Sequence, residues 1–300
     1  MKTITLFLCL TCTFTKQKSN MKSIIVTIFI LILLPKLEAQ TTYPTQVVLS
    51  NGAAFTITTN TSQVTDMGMG MAMNLNFSTI HNANVNGASN NNYSMTATLK
   101  TYKFKGDGMG ASDIAYNSDS SKEVLAGMEG ISALINKPVS FLVDKQTGTA
   151  KPTDEPTPAE TNNDNPMQSM MGAMSDGSSP ATLNNISFII PANASIGYVW
   201  HDSTTANGFT NKTTYTLVET KADISTVKMS GTVVGSSTME MQGTALDMKM
   251  TTKNNGTIIV NRKTNVCISR TLEADVDAVV DMMGQTMNIT SKASSTTTIN

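Results

Sequence analysis

The 300-residue sequence is poor in the side chains that usually carry catalysis and nucleic-acid binding. Only 14% of its residues are charged and 5% are aromatic, and there are 2 histidines. Scarce histidine leaves few groups that exchange protons near neutral pH. The formal net charge is −1 and no cluster of Lys and Arg occurs, which excludes the phosphate neutralisation that nucleic-acid binding requires. We therefore expect no enzyme activity, no catalytic residues, no cofactor and no nucleic-acid partner.

The sequence also lacks an apolar run long enough to cross a membrane, although an export signal precedes the rest of the chain. Met21-Lys22-Ser23 is followed by an apolar run over residues 24–34 and by a cleavage position after Ala39. That run is shorter than the roughly twenty residues of a spanning helix. We expect residues 1–39 to be a signal peptide, with Met21 as an alternative true start. The protein is then secreted or periplasmic and has no transmembrane span. Only Cys267 would remain after cleavage, so no internal disulfide is expected.

Alternating apolar and polar residues are the main pattern that is present, and they predict strands with one buried face. The alternating runs cover residues 67–77, 93–99, 213–220, 224–234, 239–250, 256–260, 266–280 and 287–299. A phase slip at Lys100-Thr101 predicts a bulge, and a second slip at Gly243-Thr244 predicts another bulge inside the run 239–250. The Asn-rich residues 82–92 predict a loop.

Residues 120–137 are the one segment beyond the N-terminus with a helical period. Ser120 and Glu123 form a capping box, and Lys137-Pro138 is a stop signal. The apolar stripe consists of Val124, Leu125, Met128, Ile131, Leu134 and Ile135. The predicted fold class is α+β and mostly antiparallel β, a curved sheet or half-barrel packed on this amphipathic helix.

We expect one domain made of two halves. Residues 40–150 hold the first β half with the helix at 120–137, and residues 183–300 hold the second β half. Between them, residues 151–182 contain five prolines with acidic and small residues, which predicts a flexible insertion. The turn at 144–148 is echoed at 261–265, and we interpret the echo as two similar hairpins rather than a duplication. Each turn ends in Gly or Asn, which suits a left-handed backbone position.

Several of these features together carry a family resemblance. They are the helix exit at Lys137-Pro138-Val139, the turn at 144–148, the Pro-rich insertion, the segment 191–200 ending in Tyr198-Val199-Trp200, and the strand around Gly256-Thr257-Ile258. In this order they resemble an uncharacterised family of exported bacterial proteins, the domain of unknown function numbered 6263. The resemblance covers most of the chain beyond the signal peptide. It implies an exported β-rich protein and supplies no catalytic residues to carry over, and it implies a shape similar to the half-barrels of lipoprotein carriers.

Methionine is the unusual side chain of this sequence, with 21 copies. The candidate metal ligands are those in Met-x-Met pairs: Met67, Met69, Met71, Met73, Met239, Met241, Met248 and Met250. Side chains two apart on a strand share a face at about 6.5–7 Å, and converging thioethers select Cu(I). Otherwise they are adaptable core residues, or they line a sheet face for an apolar ligand, because Met repacks around irregular shapes. The burial of these methionines distinguishes the two interpretations, because side chains sealed inside a core cannot form the copper site.

The remaining motifs are weaker. His201-Asp202 has a hydroxyl beside it at Ser203, but the members of a catalytic triad meet through the fold. An enzyme would need His81 and His201 in one cleft beside acids. Residues 273–277 carry three alternating acids without a calcium loop, which predicts a solvated strand face.

The sequence therefore predicts an exported, non-enzymatic envelope protein that binds an apolar ligand such as lipid on a Met-rich sheet face. A second protein of the bacterial envelope is the other possible partner. The alternative function is a Cu(I)-binding protein that uses the Met-x-Met pairs.

Overall fold

The computed structural model of the protein describes residues 42–68, 71–108, 111–121, 129–153, 183–206, 208–241, 244–282 and 285–300. The expected signal peptide and nearly all of the expected Pro-rich insertion lie outside these residues. The first half of the expected helix, residues 122–128, also lies outside them.

The described residues form twelve strands and one short helix. In chain order they are β1 (Ala54–Asp66), β2 (Ala72–Ala88), β3 (Asn92–Gly108), β4 (Ala111–Asn117), α1 (Glu129–Leu134), β5 (Pro138–Asp144), β6 (Ala150–Pro152), β7 (Val199–Ala206), β8 (Phe209–Lys221), β9 (Ile224–Met241), β10 (Thr244–Asn261), β11 (Val266–Met282) and β12 (Gln285–Ile299).

All twelve strands belong to one open, curved antiparallel sheet. Its order is β6-β5-β3-β2-β1-β12-β11-β10-β9-β8-β7, and β4 pairs with β3 beside this path. The first and last strands meet at the centre, with Ile57 opposite Ile299, so the two halves form a single sheet. Between the described elements, extensive contacts join only neighbouring strands, which makes the sheet a single layer.

The predicted curved antiparallel sheet is thus confirmed, whereas its packing on a long amphipathic helix is not. The helix α1 is six residues long. None of the described helical residues forms a helix long and apolar enough to cross a membrane.

Two apolar clusters lie on one face of the sheet, which we call the inner face. The lower core extends across the strands at one end of the sheet, the end where the turns 144–148 and 261–265 lie. Its members include Ile57, Ala83, Met95, Phe141, Leu217, Val227 and Ile258. The upper core lies on β2, β3, β4 and α1. Its members are Met73, Leu75, Leu99, Tyr102, Phe104, Tyr116 and Ile131.

The lower core is closed by two segments that lie outside the sheet. Residues 43–49 are fixed between the turns 144–148 and 261–265, because the Val47 N–H donates to the Lys145 carbonyl and the Val48 N–H donates to the Thr264 carbonyl, each at 2.8 Å. Residues 183–194 also cover this end, and they contribute Leu183, Ile186 and Ile190 to the lower core.

The predicted similarity of these two turns is confirmed. Gly148 and Asn265 both have positive φ, 71° and 57°. The N–H of each donates to the carbonyl four residues earlier, at Asp144 and Asn261 respectively, over 2.8 Å. The side chains of Asp144 and Asn261 also accept from the N–H two residues on. Equivalent local chemistry therefore produces equivalent turns that hold residues 43–49 from both sides.

The predicted strand over residues 67–77 is wrong at its beginning. Met67 and Met71 lie in the hairpin turn between β1 and β2, where the Met67 N–H donates to the Met71 carbonyl at 2.9 Å. Gly68 has φ 76°, a value that favours glycine and permits the reversal. The alternating methionines and glycines fit an extended strand equally well, so the periodicity alone misplaced the strand start.

Other boundaries differ in the same way. The run 239–250 is two strands, with Met241 opposite Thr244 across a hairpin, so the expected bulge at Gly243-Thr244 is a chain reversal. Most of the predicted loop 82–92 belongs to β2. The bulge at Lys100-Thr101 is confirmed, because Ile80 faces Thr101 while the next residue of β2 faces Leu99.

Candidate functional site

The candidate site is the inner face of the sheet above the lower core, on β9 to β12. We call it the open inner face. Register places its side chains on one surface, since Val280 faces both Met248 and Met287, and Ala278 faces both Met250 and Ile289. The apolar residues of this surface are Val233, Met248, Met250, Leu272, Ala274, Val276, Ala278, Val280, Met287 and Ile289. None of them belongs to the lower or the upper core.

Side chains on the open inner face are more buried than their neighbours on the outer face. Val233 is half-buried, whereas Val234, the next residue of β9, is 52% exposed on the outer face. Ala278 is only 8% exposed. Alternation along each strand thus separates a half-buried apolar face from an exposed face. The result is an apolar surface that needs little additional cover to leave water.

The outer face of the same strands is polar. Lys292 and Asp275 lie 4.0 Å apart there as an exposed ion pair. A depression of about 540 Å³ is lined mainly by outward residues such as Val234, Lys249 and Asp277. It is also lined by Met250, Ala278 and Ile289 of the open inner face. Charges of both signs make this depression a weaker site for an apolar molecule.

A strip of hydroxyl groups borders the open inner face along β1 and β12. The hydroxyl groups of Thr59 and Thr297 lie 3.0 Å apart, and those of Thr65 and Ser291 lie 2.9 Å apart. Gln63 donates to the Ser291 hydroxyl at 3.1 Å. Since these groups bond to one another, they can lie beside an apolar molecule without losing hydrogen bonds.

Two polar side chains are buried on the other side of this strip without partners among the described residues. His81 is 3% exposed, and burial lowers its pKa from 6.5 to about 4. Tyr102 is 1% exposed, and burial raises the pKa of its hydroxyl to about 12. Neither His81 nitrogen nor the Tyr102 hydroxyl has a hydrogen-bond partner in the described structure. Both side chains are therefore neutral at pH 7.

The two imidazoles of the chain are far apart. His81 lies on β2 and His201 on the edge strand β7, seven positions away in the sheet. The Nδ1 of His201 pairs with the Thr214 hydroxyl at 3.0 Å on an exposed surface. The cleft that an enzyme based on both histidines would need is therefore not formed.

The candidate methionine ligands fall in different environments. Met73 is buried in the upper core at 5% exposure, while Met71 is 39% exposed in the hairpin turn. Met67 packs against the upper core, and Met248 and Met250 are half-buried on the open inner face. Met69 and the side chains of Met239 and Met241 lie outside the described structure. Core packing thus accounts for Met73, and the Cu(I) site stays a prediction.

The acidic strip on β11 matches its prediction. Glu273, Asp275 and Asp277 are exposed on the outer face. Among the described residues, no three His, Cys, Asp or Glu side chains lie close enough to hold a metal ion together.

In a comparison with known families, residues 90–267 match the Family of unknown function (DUF6263). This match covers more than half of the chain. The protein belongs to the DUF6263 family. Its membership confirms the resemblance drawn from the helix exit, the 144–148 turn and the late strands. No curated protein matches the chain.

Similarity to solved structures is distant. Lipovitellin, from a structure of lipid–protein interactions, is 12% identical with a TM-score of 0.49; the match covers 84% of this chain and 25% of that chain. This DUF6263 protein thus spans about a quarter of the lipovitellin chain. An outer membrane channel from Pseudomonas putida F1 is 7% identical with a TM-score of 0.25, covering 85% of this chain and 97% of that one. A DUF1329 family protein from Desulfovibrio piger ATCC 29098 is 6% identical with a TM-score of 0.17, over 79% and 83% of the two chains. Because these TM-scores lie below 0.5, the likenesses carry no argument about function.

Proposed function

We propose that this DUF6263 protein is an exported, non-catalytic protein of the bacterial envelope that holds an apolar ligand such as lipid on the open inner face. One observation carries the proposal. Apolar side chains continue along β11 beyond the lower core, flanked by apolar residues of β9, β10 and β12 on the same face of a single-layer sheet, and they belong to neither core. A sheet normally buries such a face against a second layer.

The chemistry of the surface suits a flexible hydrocarbon. It combines branched side chains such as Val276 and Val280 with the small Ala278 and the unbranched Met248 and Met250, which face Val280 and Ala278. Methionine adapts to irregular shapes, which allows one surface to accept chains of different length. An apolar patch that is only half-buried and belongs to no core is suited to a ligand or partner surface. Export is supported by the predicted signal peptide, and the absence of catalysis by the separation of His81 from His201.

Two adjacent valines provide a matched test of which face binds. We would titrate the purified protein with cis-parinaric acid, a fatty acid that becomes fluorescent in apolar surroundings. Val233→Asp places a carboxylate on the open inner face, whereas Val234→Asp places the same group on the outer face. We expect wild type and Val234→Asp to bind alike and Val233→Asp to bind at least tenfold more weakly, because a desolvated carboxylate is strongly unfavourable.

Thermal unfolding of both variants serves as the control for folding. Equal affinity of all three proteins would contradict the proposal, as would a loss confined to Val234→Asp. The second result would instead place the ligand in the outer depression.

A further inference from the structure

Arg270 marks the lower boundary of the open inner face. It lies on β11 between Ile258 of β10 and Thr297 of β12, which face it across the two ladders. Both neighbours are buried, at 0% and 4% exposure. The next inner residue of β11 is Leu272, the first apolar side chain of the open inner face. The guanidinium thus lies where the covered lower core ends.

This guanidinium has fewer partners than its chemistry demands. Its Nη1 donates to Asn185 Oδ1 at 2.8 Å, while its Nε is buried and has no hydrogen-bond partner in the described structure. No carboxylate of the described residues lies within 4.0 Å of the Arg270 guanidinium. The ion pairs among the described residues all involve lysines instead. An arginine presents five donors, and a partly desolvated cation is unfavourable unless it is paired. The site therefore favours an anion.

Arg270 has few charged neighbours on the inner face, where Asp202 of the edge strand β7 is a further charge and acts with Arg270 on Tyr215. At the described inner-face positions of β8 to β12 Arg270 is the one charged side chain, and the positions above it carry Leu272, Ala274, Val276, Ala278 and Val280. From Arg270 to Val280 the strand rises about 34 Å at about 3.4 Å per residue. A positive group at one end of a long apolar strip is complementary to a molecule with an anionic head and a hydrocarbon chain.

We propose that Arg270 binds the oxyanion of an anionic amphiphile, a carboxylate or a phosphate, whose hydrocarbon chain lies along the inner side chains of β11. The inference rests on the proposed function and names its ligand class. Arginine suits this role because its planar fork can donate two parallel hydrogen bonds to an oxyanion. The amide nitrogen of Asn185 is a further donor beside the same guanidinium.

The test compares probes that share a chain and differ in the head. Oleate, oleoyl phosphate and oleyl alcohol would compete with cis-parinaric acid, with inorganic phosphate and acetate as chainless anions. We expect oleate and oleoyl phosphate to bind wild type roughly tenfold to a hundredfold more tightly than oleyl alcohol, the range for hydrogen bonds between charged groups. Arg270→Gln should abolish this preference while oleyl alcohol still binds.

Three variants control for structure. Arg262→Gln removes the same charge from the β10–β11 turn and should keep the preference. Arg270→Lys keeps the positive charge but lacks the planar fork of donors, so it should keep part of the preference for an anionic head. Asn185→Ala removes the hydrogen bond between Asn185 and Arg270 but keeps the positive charge of Arg270. This variant therefore tests the role of the guanidinium even if Arg270→Gln does not fold.

The outcomes separate the two proposals. If no probe binds wild type, the proposed function fails. If oleate and oleyl alcohol bind wild type equally, or if Arg270→Gln retains the preference, the ligand class is wrong while the apolar site stands. If inorganic phosphate displaces cis-parinaric acid as well as oleoyl phosphate does, Arg270 binds free anions and the chain plays no part.

Discussion

The burial of His81 predicts a specific loss of stability in mild acid. In the unfolded chain an imidazole takes up a proton near pH 6.5. In the folded protein, burial among apolar side chains lowers the pKa of His81 to about 4. Between these values the unfolded state binds a proton that the folded state does not. Stability is therefore full above pH 6.5 and falls as the pH drops towards 4.

The size of the effect follows from the shift. Each pKa unit corresponds to about 1.4 kcal/mol, so a shift from 6.5 to about 4 corresponds to roughly 3–4 kcal/mol. His81 is 3% exposed, so solvent screening reduces this figure little. The free energy of unfolding should fall by about that amount between pH 7 and pH 4.

Urea unfolding at half-unit pH steps between 7.5 and 4 would measure this dependence. Subtracting the profile of His81→Leu isolates the contribution of the imidazole, because acidic groups such as Asp144 titrate in both proteins. The pKa of Asp144 is lowered mainly by its hydrogen bond from the Thr147 backbone, so its contribution is lost at a lower pH. His201→Gln is the matched control, since His201 is exposed on β7.

We expect wild type and His201→Gln to lose stability in parallel, and His81→Leu to be nearly flat from pH 7 to pH 5. A His81→Leu profile that parallels wild type would refute the reasoning, because the buried imidazole would then bind protons as readily as a free one.

Three further predictions concern packing. Gly148→Ala should destabilise the protein by about 1–3 kcal/mol in urea unfolding, because the added Cβ would contact the Ser187 hydroxyl at a left-handed backbone position; unchanged stability would contradict the described turn. Ile258→Ala should cost about 2–5 kcal/mol as a cavity in the lower core, whereas Ile224→Ala, which is 44% exposed, should stay within about 0.5 kcal/mol. Burial raises the pKa of the Cys267 thiol to about 12, so a maleimide should label it only after unfolding; rapid labelling of the native protein would contradict its burial.

The sheet could be predicted from sequence because alternation reports directly on a one-sided strand. The 144–148 and 261–265 turns were predictable for a similar reason, since Gly148 and Asn265 mark left-handed positions. Strand ends were not predictable where the alternation continued into a reversal, as at Met71. They were also missed where a phase slip marked a reversal rather than a bulge, as between Met241 and Thr244. The Asn-rich end of β2 was missed because its asparagines lie outward, between the buried Ala83 and Val85.

The candidate site was predictable only in part. Alternation on β11 indicates an apolar face, but whether that face is filled or open depends on which segments cover it. Arg270 carries no sequence signal, because its position depends on β11 pairing with two strands and on residue 185 of a distant segment. The even spacing of the methionines did not indicate their different environments, with Met67 and Met71 in a turn and Met73 in the upper core.

Photo-crosslinking would locate a bound hydrocarbon chain on the sheet. The protein would bind a fatty acid that carries a diazirine in its chain, and after irradiation the crosslinked residues would be identified by peptide mass spectrometry. We predict adducts at alternate residues of β10 and β11, such as Met250, Val276 and Val280, and none at the outward Asp277 and Val279. Adducts on the outward residues, or spread evenly over both faces, would contradict a ligand on the open inner face.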